Sequence, residues 1–107
     1  MITRFVMTPG AILHTITERL GGKSWSKIAE ETGINVIYVR DILYNNIPIT
    51  EEYAEKLANA YKDTTKEYWL EKEKQYQEHK NDCVVINTRV LEDLEENGYC
   101  IYERVME

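Results

Sequence analysis

The stretch Ser24-Trp25-Ser26-Lys27-Ile28-Ala29-Glu30-Glu31-Thr32-Gly33-Ile34-Asn35-Val36-Ile37-Tyr38-Val39-Arg40-Asp41-Ile42-Leu43-Tyr44 decides the fold. Ser24 offers a hydroxyl cap for a helix, with Lys27 rather than Glu three residues later. Trp25, Ile28 and Ala29 make an apolar stripe, and Gly33 suits a left-handed turn residue. Asn35 or Val36 opens a second helix in which Val39, Ile42 and Leu43 can face inward. Ala29 is small enough for two helices to cross closely there. Gly33 then permits a tight turn, and Val39 plugs the second helix onto the first. These are the mechanics of a helix-turn-helix, whose second helix can lie in a major groove. A small residue four before a glycine also occurs in ordinary helical hairpins, so the flanks must decide.

Upstream, residues 1–8 read as an arm. Thr8 then Pro9 is a helix-start signal, because proline's missing N–H costs nothing in a first turn. Ile12, Leu13, Ile16 and Leu20 recur at helical spacing, and Gly21-Gly22 stops that helix. Downstream, Asn45-Asn46 ends the candidate reading helix and Pro48 marks a loop. Thr50 caps a fourth helix, with Glu51 and Glu52 at its positive end and Tyr53, Ala54, Leu57, Ala58 and Tyr61 on its inner face. Thr64 or Thr65 caps a fifth, mostly solvated, with Tyr68, Trp69 and Tyr76 as one aromatic seam.

Residues 81–107 change character. Residues 83–86 are a short β-branched run. Asn87 or Thr88 can cap a short helix with Val90, Leu91 and Leu94 on one side, stopped by Gly98. Residues 99–105 alternate like a strand. The expectation is a mainly α chain: a five-helix DNA-binding domain at 1–80 and a C-terminal extension at 81–107. The extension reads as a small β-α-β piece or β-hairpin that dimerises the chain or binds a partner. Two short strands are marginal alone, so it should pack on the body or pair with a second chain.

Charge is unevenly placed. Residues 1–62 balance seven basic against seven acidic side chains, so the whole net charge of −6 lies in residues 63–107. A neutral half joined to an acidic half suggests two surfaces with different partners. No apolar run is long enough to span a membrane, and the start, with Arg4 and no long apolar run, is not a secretory signal; a cytoplasmic protein is expected. Cys83 and Cys100 lack zinc-ligand spacing, and His14 and His79 are far apart in sequence. No metal or cofactor is therefore expected, and the cysteines read as reduced packing residues. No Ser-His-Asp, Cys-His, HExxH or glycine-rich phosphate loop appears, which argues against an enzyme.

Three further stretches carry a family likeness. Thr8-Pro9-Gly10-Ala11-Ile12-Leu13 resembles the Pro-Gly-x-x-Leu opening of HigA-type antitoxins. Ile49-Thr50 with Ala54, Leu57 and Ala58 resembles their fourth helix. Glu67-Tyr68-Trp69-Leu70 with Gln75-Tyr76 resembles their Glu-Phe-Trp-Leu stretch and the tyrosine after it. Residues 8–79 thus resemble HigA-type antitoxins and Cro/repressor-type (XRE-like) regulators. The likeness implies a five-helix, lambda-repressor-like helix-turn-helix fold, often dimeric. It also implies binding to double-stranded operator DNA as a transcriptional repressor, and neutralisation of a basic, RelE-like toxin. The sequence departs from the family at Trp25, where glutamine is usual, and at the uncharged loop 45–48, which is often basic. A residue is inserted near Lys62-Asp63, and residues 81–107 have no counterpart in the usual pattern.

The candidate DNA contacts follow from helix position. Asn35, Ile37, Tyr38, Arg40, Asp41 and Tyr44 point outward from the second helix of the motif. Arg40 can bind a guanine edge or a phosphate, Asn35 an adenine edge or a phosphate, and Ile37 and Tyr38 a thymine methyl. Lys23, Ser24, Ser26 and Lys27 would meet phosphates. Arg40 has a plain competing role, a surface ion pair with Asp41 or Glu30. The seam of Tyr68, Trp69 and Tyr76 reads as core rather than as a stacking platform for single strands. A stand-alone phage or mobile-element regulator, or a protein-binding inhibitor that kept the fold without DNA binding, are the competing functions.

Overall fold

A computed structural model describes residues 4–97. Its elements are β1 (Phe5–Met7), α1 (Pro9–Arg19), α2 (Trp25–Thr32), α3 (Val36–Leu43), α4 (Glu51–Ala60), α5 (Lys66–His79), β2 (Val84–Ile86) and α6 (Thr88–Glu96). Each helix starts on a side chain that accepts from an otherwise unpaired backbone N–H. Thr8 serves Ala11, Ser24 serves Lys27, Asn35 serves Ile37, Thr50 serves Tyr53, Thr65 serves Tyr68 and Asn87 serves Val90. Gly33 closes α2 at φ 77°, and its N–H donates to the Ala29 carbonyl at 2.8 Å. The decisive stretch is thus two eight-residue helices with a left-handed turn residue between them, not one rod.

The core gathers Ile12 and Leu13 from α1, Ile28 from α2, Ile34 from the turn, and Val39, Ile42 and Leu43 from α3. Ala54, Leu57 and Trp69 close it from α4 and α5. Ala29 packs against this core while staying partly exposed. Gly10 lies so close to the end of α3 that a Cβ there would strike the carbonyl oxygens of Ile42 and Leu43. The indole of Trp69 donates to Thr64 Oγ1 at 2.9 Å, and that hydroxyl donates to the Tyr61 carbonyl at 2.7 Å. The only polar atom of a fully buried ring is thereby satisfied. Leu20, which continues the helical spacing of Ile12, Leu13 and Ile16, is exposed: it caps α1 at its C-terminal end.

The arm reading of residues 1–8 is corrected where the structure describes them, and residues 1–3 lie outside the described residues. Residues 5–7 form a strand parallel to β2, in register Phe5 with Val84, Val6 with Val85 and Met7 with Ile86. The ladder continues at both ends, from Val84 N–H to the Arg4 carbonyl and from Thr8 N–H to the Ile86 carbonyl. Parallel strands need a long crossover, and here five helices supply it. A three-residue strand is too short to reveal itself by alternation. The expected strand at 99–105, with Gly98 and Cys100, lies outside the described residues.

The extension packs on the body. Thr88 Oγ1 donates to the Leu43 carbonyl, Leu91 is fully buried, and His14 Nε2 meets Glu95 Oε1 at 3.1 Å. Of Val90, Leu91 and Leu94, read on one side of this helix, Leu91 is buried and Val90 is exposed.

Candidate nucleic-acid interface

The outward side of α2 and α3 is set by what their inner sides bury. Ile28 and Val39 face the core. Ser24, Ser26, Lys27, Asn35, Ile37, Tyr38 and Arg40 are all exposed, while Lys23 and Tyr44 are half-buried. Ile37, Arg40 and Tyr44 recur at helical spacing along α3.

Few charges on this surface are free. Lys23 Nζ donates to Glu31 Oε2 at 2.9 Å and holds that carboxyl below its ordinary range. Arg40 lies against its neighbour Asp41, Nη2 to Oδ1 at 3.2 Å. Such an exposed pair contributes below ~1 kcal/mol, so Arg40 can leave it for a stronger acceptor. Lys27 is the cation among the expected phosphate contacts that has no ion pair among the described residues.

Asn35 and Ser24 have cap duties, since each side-chain oxygen accepts a backbone N–H. Asn35 nevertheless keeps its amide nitrogen for an outside partner, having no bond of its own among the described residues. Tyr44 is more committed. Its hydroxyl donates to Glu92 Oε1 at 2.6 Å, Arg89 lies over its ring, and Trp25 meets it edge-on at 5.9 Å. The carboxylate of Glu92, helped by burial, pushes its phenol upward in pKa. Tyr44 therefore joins α6 to the motif.

Ile37 and Tyr38 stand outward as the sequence led us to expect; what it did not show is that Trp25 and Val36 join them to make an apolar surface. Ile37 is 55% exposed, Tyr38 48%, Trp25 42% and Val36 39%. Trp25 belongs to the apolar stripe of α2 with Ile28 and Ala29, but as the first residue of that helix it stands exposed while Ile28 is buried. Tyr38 leans on Tyr53 of α4, with ring centroids 6.4 Å apart. The departure at Trp25, where the resembled family carries a polar residue, was the available signal.

No known family's sequence profile matches the chain, and no curated protein does. Among solved structures, an addiction module antidote protein of the HigA family from Coxiella burnetii is similar. The similarity runs at 25% identity and a TM-score of 0.63, covering 91% of this chain and 91% of that one. The uncovered remainder is shorter than residues 81–107, so the match reaches into the extension, which the sequence reading had left without a counterpart. The resemblance read from residues 8–79 thus holds in three dimensions: the chain has the fold of a HigA-family antidote protein.

Proposed function

We propose that this protein is an antitoxin-like transcriptional repressor. It binds operator DNA as a homodimer through α2 and α3, and its acidic half meets a basic, RelE-like toxin. The observation that carries this is the pair of short helices meeting at Gly33, with the outer side of α3 uncovered, inside a fold shared with an antidote protein. Two copies would read half-sites ~34 Å apart, one helical turn of the duplex. The acidic half would supply charge complementarity for rate and selectivity. No helix of the described residues is long and apolar enough to cross a membrane, and the action proposed is cytoplasmic.

The reading is tested by co-expressing the chain with the product of the neighbouring gene, together with a mobility-shift assay on its own promoter. Rescue of growth plus a specific shift is expected. No rescue removes the antitoxin half, and no shift removes the repressor half.

A second reading is favoured by the same surface. With Lys23 and Arg40 paired and four apolar side chains uncovered, α2 and α3 also suit a protein partner. On that reading the fold is kept without DNA binding. Specific promoter binding at ~150 mM salt would exclude it, because non-specific electrostatic binding is weak there.

A further inference from the structure

α5 ends at His79, and a tight turn leads to β2. The backbone N–H groups of Asp82 and Cys83 both donate to the His79 carbonyl, at 3.1 and 3.0 Å. One carbonyl thus fixes the turn and sends three side chains to the same side. His79 Nδ1, an Asp82 carboxylate oxygen and Cys83 Sγ all lie within 4.8 Å of one another. His79 Nδ1 is a buried atom with no hydrogen-bond partner among the described residues. It stands 3.4 Å from Asp82 Oδ1, at ion-pair distance but without hydrogen-bond geometry.

We propose that His79, Asp82 and Cys83 form a zinc-class divalent metal site, with water as the fourth ligand. Zinc takes imidazole nitrogen at ~2.0–2.1 Å, carboxylate oxygen at ~2.0–2.2 Å and thiolate at ~2.3 Å, in tetrahedral array. Those lengths put a nitrogen and an oxygen on one ion ~3.4 Å apart, which is the separation already present between His79 and Asp82. Cys83 Sγ lies within 4.8 Å of both atoms and closes to ~3.6 Å of the nitrogen when all three share one tetrahedral ion. Mixed nitrogen, oxygen and sulfur donors suit zinc and its neighbours, whereas magnesium and calcium take oxygen alone.

The balance is simple. On metal binding the Cys83 thiol gives its proton to solvent and the thiolate takes the ion. The imidazole binds in its neutral form and the carboxylate is already ionised. The ion would pin the end of α5 to the start of β2, and so stiffen the turn that places β2 against β1. This site is independent of α2 and α3, and its failure would leave the DNA reading untouched.

The test uses the full chain, stripped of metal and kept reduced, titrated with Co2+ and then with Zn2+. One equivalent of Co2+ should give a thiolate-to-cobalt charge-transfer band and the strong visible bands of a tetrahedral centre, and Zn2+ should erase both. Cys83→Ser should abolish the charge-transfer band with unchanged helical circular dichroism. His79→Ala and Asp82→Asn should each weaken binding by ~10-fold or more. Cys100→Ser should leave the spectrum unchanged. The absence of a charge-transfer band in excess Co2+, its survival in Cys83→Ser, or wild-type affinity in His79→Ala would each overturn the proposal.

Discussion

Trp69, the largest fully buried side chain among the described residues, ties α5 into the core. Its ring is fully buried, and its single N–H is answered by Thr64, which is itself anchored on Tyr61. Trp69→Ala should cost ~3–5 kcal/mol, read as a lower midpoint in urea. Thr64→Val keeps the volume but orphans the indole N–H, and should cost ~1–3 kcal/mol in the same titration. A cost near zero for Thr64→Val would mean that water replaces the hydroxyl. Gly10→Ala should be comparably damaging, because the added methyl meets backbone rather than a side chain that can swing away. Trp69 was legible as core from its helical spacing. Gly10 was legible only as part of a family likeness, because close approach of two backbones leaves no trace in hydropathy.

At the scale of elements, α3 is where sequence and structure part most instructively. Its inner residues, Val39, Ile42 and Leu43, are fixed by period and are buried as the spacing demands. Its outer residues obey no such constraint, so what each touches depends on neighbours far away in the chain. Tyr44 bonding to Glu92, 48 positions on, could not be read from either segment alone. On the DNA reading, Arg40→Ala should weaken operator binding with dimerisation unchanged. Asp41→Asn should strengthen it, because the change removes a carboxylate from the DNA-facing side and frees the guanidinium. Both are read as shifts in Kd at fixed salt. If the apolar side chains of α3 touch thymine methyls, an operator with deoxyuridine in place of thymidine should bind more weakly. Equal binding would remove Ile37 and Tyr38 as readers.

The same logic applies to α6. Truncation after Lys80 removes Leu91 from the interior, the Thr88 bond to Leu43 and the whole partner of β1. Loss of the leucine burial alone is worth ~1.5–3 kcal/mol, so the truncated chain should melt well below the full one. Its mass in solution would also show whether residues 81–107 hold two copies together. The helix of the extension was legible from its cap and apolar spacing. The partner of its strand was not, because pairing across five helices is invisible to any local window.

Over the whole molecule, charge is the coarse feature that governs behaviour. The half bearing α2 and α3 is neutral and the remainder acidic, so a single copy has little long-range attraction for a duplex. Four or five phosphate contacts per copy imply a log–log salt slope of roughly −4, and about twice that if two copies bind together. A slope near zero would point to the protein-binding alternative. This division of charge is plain in the sequence, and so is the pairing of Arg40 with its neighbour Asp41, whereas the pairing of Lys23 with Glu31, eight positions on, is not.

The β1–β2 ladder gives synthesis an order of events. The helices can collect as each leaves the ribosome, but Phe5–Met7 must wait for Val84–Ile86 to be translated. A product cut short before β2 would carry an unmatched apolar strand in β1, open to proteases or to the strand of another unfinished copy. Arrival of β2 is thus reported by the pairing of β1.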